Sequence, residues 1–157
     1  MKKLIILSAV PGSGKSTWAK KYQSEHPNTY IISSDQIRFE LTGVYQDFSR
    51  QKEVWEIFEQ RIKDYAKLEG DVTVILDALI DLDILRRKYV ETTPEYDEHE
   101  LVLIYRTFDE VKKFNRLRPQ EKWVPDEALI ALFEKFELPK KEIIDLFDKY
   151  IYIDTLF

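Results

Sequence analysis

The sequence predicts an α/β fold, a parallel sheet with helices on both faces, and three observations predict it. Short apolar or β-branched runs alternate with segments whose apolar residues recur at spacings of three and four, across a chain of 157 residues. The runs are continuous rather than alternating, as in strands covered on both faces. The first run leads through a glycine-rich turn straight into a helix, and such crossovers between parallel strands are right-handed.

The elements follow in order. Leu4 to Leu7 reads as strand one. Ala9-Val10-Pro11-Gly12-Ser13-Gly14-Lys15-Ser16-Thr17 is the turn, and Trp18 to Glu25 the helix after it. His26-Pro27-Asn28 stops that helix. Thr29 to Ser33 is strand two, followed by a short helix from Gln36 to Leu41 with Ser34 or Asp35 as N-cap. Val44 to Ser49 is a polar-aromatic loop. From Arg50, Val54, Phe58, Ile62 and Tyr65 mark a helix that Glu69-Gly70-Asp71 ends. Val72 to Leu76 is strand three, with Asp77 at its end. Leu82, Leu85 and Tyr89 line one face of the next helix, broken at Thr92-Thr93-Pro94. Glu100 to Tyr105 is strand four, and Asp109 opens a helix to about Leu117. The connection Arg118 to Pro125 holds two prolines. Leu129, Leu132, Phe133 and Phe136 mark another helix, Ile143, Ile144 and Phe147 a shorter one, and Tyr150 to Ile153 a fifth strand.

Bulk properties bound the function. The length suits one domain over residues 1–157. There is no cysteine, which excludes disulfides and thiolate metal sites and fits a cytoplasmic protein. No apolar run approaches a membrane span. The net charge of −5 argues weakly against non-specific polyanion binding, yet residues 1–22 carry five lysines and no acid, so a local basic channel is compatible with it.

The turn carries the chemistry. Gly-x-Gly-Lys-Ser between strand and helix is the phosphate-binding loop, or Walker A motif. Gly12 and Gly14 let backbone N–H groups, among them that of Ser13, curl around phosphate oxygens. The helix start, with Thr17 in its first turn, offers free N–H groups and the positive dipole end. Lys15 reaches the β- and γ-phosphates and Ser16 ligates magnesium (Mg2+). Ala9 stands where the pattern has its first glycine. Asp77 matches an acid that shares the Mg2+ with Ser16; alone it reads equally as a turn residue.

In parallel sheets, ligands bind beyond the carboxyl ends of the strands, and the loop, Asp35 and Asp77 all follow such ends. A carboxylate at the end of strand two suits an acceptor hydroxyl, whose proton it takes during phosphoryl transfer. Arg38 lies three residues on, placed to grip an anionic group of the acceptor; a local ion pair explains the same spacing. Arg116, Arg118 and Lys122 surround the proline-bounded segment, read as a lid over about 115–127 or as a basic helix end. Arg86 and Arg87 could meet a polyanion but read as surface arginines; Trp18, Trp55 and Trp123 read as packing residues rather than base-stacking platforms, Trp123 being the one to test for stacking because it lies in the lid segment. His26 and His99 offer no metal spacing.

Pro11 to Ala19, Ser33-Ser34-Asp35-Gln36-Ile37-Arg38 with Leu41-Thr42-Gly43, Val74 to Asp77, and Asn115-Arg116-Leu117-Arg118 ahead of Val124-Pro125 together resemble the kinase domain of phage-type polynucleotide 5′-hydroxyl kinases, within the small P-loop kinases. The resemblance implies a three-layer α/β/α P-loop NTPase fold, a five-stranded sheet in the order 2-3-1-4-5 and a helical lid. It implies ATP and Mg2+, with Lys15 and Ser16 on the phosphates and metal, Asp35 as general base, Arg38 on the acceptor's neighbouring phosphate, and Arg118, or else Arg116, on the ATP phosphates. The acceptor expected is the 5′-hydroxyl end of a nucleic acid. Asp77-Ala78-Leu79-Ile80 departs from relatives that have Thr or Asn shortly after the acid, which leaves a small hydroxylated metabolite, nucleoside or antibiotic as the alternative acceptor. A nucleotide-binding switch or NTPase without an acceptor is the third expectation.

Overall fold

A computed structural model describes residues 1–154. Lys2–Ser8 forms β1, whose Leu4, Ile5, Ile6 and Leu7 are all fully buried. It lies between two parallel neighbours, β3 (Val72–Asp77) and β4 (Glu98–Ile104), which is why its apolar run does not alternate. β2 (Thr29–Ser33) pairs with β3, and β5 (Lys149–Ile153) with β4, both parallel. The sheet order is β2-β3-β1-β4-β5, as the resemblance implies.

The pleat sends alternate residues of each strand to opposite layers. Leu4 and Ile6 of β1, with Ile32, Val74 and Leu76, meet Ile37 of α2 (Ser34–Thr42), Val54, Phe58 and Ile62 of α3 (Gln51–Ala66), Tyr89 of α4 (Asp83–Glu91) and Ile143 of α7 (Lys141–Ile144). Ile5 and Leu7, with Val102 and Ile104, meet Ala19, Trp18 and Tyr22 of α1 (Lys15–Glu25). Each large side chain so buried contributes about 1.5–3 kcal/mol. A third, small cluster joins Val10 to Val111 of α5 (Phe108–Leu117) and Leu129 of α6 (Asp126–Lys135), with Phe108, Val124, Phe133 and Phe136 around it. This helical lid thus stands on its own apolar base, which meets the phosphate loop at Val10.

Element ends differ from expectation where polar residues carry them. α1 starts at Lys15, three residues early, because Gly14 takes a left-handed φ of 94° as N-cap. α2 starts at Ser34, and its cap is neither Ser34 nor Asp35. Ser33 is extended, and its side chain accepts the Gln36 N–H at 3.2 Å. Asp35, one turn-position inside, is released from capping. β4 begins at Glu98, two residues early, where Lys3 pairs with it. Ala9 is fully buried against the α1 layer, so its Cβ fills core space and does not crowd the loop.

Candidate active site

Gly12 and Gly14 both have left-handed φ, 82° and 94°. At Gly12 the reason is also steric: a Cβ there would lie 2.8 Å from the Val111 carbonyl oxygen and 3.2 Å from the Asn115 nitrogen. The loop is therefore pressed against α5, a contact that the motif alone does not reveal. Ser13 is 1 % exposed, and both its hydroxyl and its N–H point to the Val10 carbonyl, which stiffens the turn. Lys15, Ser16 and Thr17 form the first turn of α1, whose N-terminus has no side-chain cap. Uncapped N–H groups at a helix start, aided by the dipole, are an anion site.

Lys15 Nζ donates to the Ala78 carbonyl at 3.1 Å, and Ser16 Oγ donates to Asp77 Oδ2 at 2.7 Å. The loop and the end of β3 therefore meet, as the sequence predicts. A hydroxyl and a carboxylate oxygen side by side are hard oxygen donors that fit Mg2+, which takes one or two protein groups and completes its shell with water and phosphate oxygens. Among the described residues no group of three or more His, Cys, Asp or Glu is placed to hold a metal ion unaided.

The register of β2 and β3 sets Ser33 opposite Asp77, so Asp35 emerges two residues beyond, at the same edge of the sheet. Its side chain is 49 % exposed and has an arginine at each oxygen: Arg38 Nη1 at 2.7 Å from Oδ1, and Arg118 Nη2 at 3.6 Å from Oδ2. Arg38 itself is only 4 % exposed. Its Nε donates to Gln51 Oε1 at 2.8 Å and its Nη1 to the Tyr45 carbonyl at 3.2 Å, which ties α2 to α3 and to the 44–49 loop.

The two lid arginines separate cleanly. Arg116 donates to both oxygens of Asp126, at 2.9 and 3.0 Å, and its guanidinium lies 5.1 Å from the Trp123 ring centroid. It braces the lid internally, whereas Arg118 reaches Asp35. Trp123 Nε1 donates to the Arg118 carbonyl at 2.7 Å, so this tryptophan supports the lid segment, which includes a 3-10 turn at Gln120–Lys122. Asn115, fully buried, holds the segment from both sides: its Nδ2 donates to the Val124 carbonyl at 2.8 Å and its Oδ1 accepts the Val124 N–H at 3.0 Å. Sequence reasoning had no role for Asn115. The available signal was a lone Asn on the apolar side of α5, four residues after Val111.

One expectation needs correction. Arg86 is not a surface residue but fully buried, while Arg87 is exposed and pairs with Glu91 at 3.5 Å. In the run after Asp77, Ala78 and Ile80 are 2 % and 1 % exposed and belong to the main core, while Leu79 is half-buried.

A parallel sheet in this order, with a glycine loop feeding a helix and a Lys–Ser–Asp set at the strand ends, defines a P-loop NTPase of kinase-like build. The chain belongs to the AAA domain family, whose pattern matches residues 4–139. It is similar to the L-seryl-tRNA(Sec) kinase of Methanococcus maripaludis, 29 % identical over 144 residues, covering 87 % of this chain and 53 % of that protein. The chain thus spans about half the length of that curated relative. In fold it is similar to a chain of the Pnkp1/Rnl/Hen1 RNA repair complex, with a TM-score of 0.71, 23 % identity, and 85 % of this chain and 43 % of that one covered. Chaetomium thermophilum Kti12, in a complex with ADP-AlF3, shares the fold at a TM-score of 0.66 and 14 % identity, with 96 % and 88 % covered.

Proposed function

We propose that this chain is an ATP-dependent phosphotransferase that moves the γ-phosphate to a hydroxyl, the 5′-hydroxyl end of a polynucleotide being the acceptor. One observation carries the proposal: a half-exposed carboxylate, Asp35, aimed between two arginines at the strand edge that also holds the phosphate loop. In this reading the loop N–H groups and Lys15 hold the donor phosphates. Ser16 and Asp77 hold Mg2+, which supplies charge neutralisation to the phosphate oxygens. Asp35 accepts the proton of the acceptor hydroxyl. The acceptor oxygen forms a bond to the γ-phosphorus as the bond from that phosphorus to the bridging oxygen of ADP breaks. Arg38 orients Asp35 and stands beside the acceptor's neighbouring phosphate. Arg118 leaves Asp35 for the transferring phosphate, and Arg116 keeps the lid in shape.

RNA also recurs in two of the proteins this chain is similar to: one is a kinase of L-seryl-tRNA, and one belongs to an RNA repair complex. The test is transfer of label from γ-labelled ATP with Mg2+ to 5′-hydroxyl DNA and RNA oligonucleotides, beside a panel of small hydroxylated metabolites, nucleosides and antibiotics. Label on the oligonucleotides is the expected outcome. Label on a small acceptor alone would overturn the polynucleotide reading and keep the kinase. Hydrolysis with no labelled acceptor would overturn both in favour of a nucleotide switch.

A further inference from the structure

The 44–49 loop is separate from the phosphate loop, and its Phe48 ring packs on Arg38, the partner of Asp35. The guanidinium carbon of Arg38 lies 4.3 Å from the centroid of the Phe48 ring, while Arg38 Nη1 is 2.7 Å from Asp35 Oδ1. One guanidinium thus separates that ring from the carboxylate. Phe39 and Tyr45 stack at 4.5 Å with 19° between their planes, and Lys122 of the lid turn sets its Nζ 4.7 Å from the Tyr45 centroid. Against their chemistry, Phe39, Val44 and Phe48 remain 38 %, 55 % and 54 % exposed.

These apolar surfaces sit among cations. Arg38 lies on the Phe48 ring, Lys122 on the Tyr45 ring that stacks with Phe39, and Arg118 on Asp35 itself, on a chain whose net charge is −5. A partner that matches both features carries flat π surface and phosphate together, which is the make-up of single-stranded nucleic acid; aromatic rings and arginines stack on its bases while cations follow its backbone. The dimensions agree as well. A nucleoside carries its base one sugar ring away from its 5′-oxygen, and Phe48 lies one guanidinium away from the carboxylate that would receive the 5′-proton.

We propose that Phe48 is the base-stacking platform of the acceptor subsite, taking the nucleobase at the hydroxyl-bearing end of a single-stranded nucleic acid. This rests on the phosphotransferase reading, since it places the acceptor hydroxyl at Asp35. The Phe39–Tyr45 stack holds the loop in position, and Lys122 joins it to the lid.

The experiment compares the wild-type chain with Phe48→Leu and Phe48→Trp. The acceptors are a 5′-hydroxyl oligonucleotide and the same strand with an abasic 5′-terminal residue. Far-ultraviolet circular dichroism first establishes that the variants are folded. Phe48→Leu should raise the KM for the intact strand roughly ten- to hundredfold, the range for loss of one stacked base, and leave the KM for ATP unchanged. Phe48→Trp should restore it, and the abasic strand should bind all three proteins equally weakly. An unchanged KM in Phe48→Leu, or an equal loss with intact and abasic strands, overturns the platform while the kinase stands. Absence of transfer to any strand by the wild-type chain overturns the phosphotransferase reading, and the platform with it.

Discussion

The chain contains the same local device twice. Asp35-Gln36-Ile37-Arg38 and Asp83-Ile84-Leu85-Arg86 each lie at the start of a helix, α2 directly after β2 and α4 after a short loop from β3. In each, the arginine Nη1 donates to Oδ1 of the aspartate three residues before it, at 2.7 and 2.8 Å. Their surroundings differ. The Asp83 side chain is 12 % exposed and Arg86 not at all, against 49 % for Asp35. Asp83 Oδ2 accepts the Lys140 N–H at 3.2 Å. Arg86 donates through Nε and Nη2 to Ser8 Oγ, at 3.0 and 2.9 Å, and through Nη2 to the Glu137 carbonyl at 2.5 Å, with the Phe136 ring centroid 5.4 Å away. The second pair thus locks β1, α4 and the segment leaving the lid helix α6 into one unit. In the first pair, the second carboxylate oxygen meets Arg118 at the longer distance of 3.6 Å. A carboxylate whose partners are complete is structural; one with room for another partner can take a proton from a substrate.

Breaking the buried pair should have the largest effect. Arg86→Ala leaves Asp83 without its cation and Ser8 without its donors, and urea unfolding should show a loss of about 3–5 kcal/mol. Equal midpoints for wild type and variant would mean the pair holds nothing together. Asp35→Asn should lower phosphate transfer by roughly 10²–10⁴-fold, the usual worth of a general base, with ATP affinity largely kept. A variant that still transferred at the wild-type rate would remove Asp35 from that role. Stability should follow the reverse order: Asp83→Asn weakens a buried charge-assisted bond and costs about 1–3 kcal/mol, whereas Asp35→Asn should change the unfolding free energy by less than about 1 kcal/mol. The smallest effect belongs to Arg118→Ala. Its half-open ion pair should contribute no more than about 0.5 kcal/mol to stability, so a fall in transfer without a shift in the unfolding midpoint would mark its work as catalytic.

At the level of elements, much was legible. Among the described residues, strand runs, turn residues and helical spacing foretold the strands and α-helices, because each depends on local pattern, though not the 3-10 turn at Gln120–Lys122. The errors lie where polar residues end an element: α1 begins at Lys15 rather than Trp18, and Ser33 rather than Asp35 caps α2. Lys15, Ser16 and Asp77 were legible as a set, since the loop motif and the strand end each carry their own signature. Asn115 and Gln51 were not. Their partners lie nine and thirteen residues away and are brought near by a folded-back chain, not by spacing.

The sequence by itself determined the sheet, the phosphate loop and the Asp-x-x-Arg spacing at 35–38 and at 83–86, because periodicity and backbone chemistry act within a few residues. Only the tertiary structure decided which pair is open and which is buried, which lid arginine reaches Asp35, and why Gly12 admits no side chain. Those outcomes depend on what distant segments do to solvent access. The stretch from Phe136 to Lys140 closes over Arg86, whereas Arg38 and Arg118 leave the Asp35 side chain half exposed, so one local motif became a brace and the other a candidate site of chemistry.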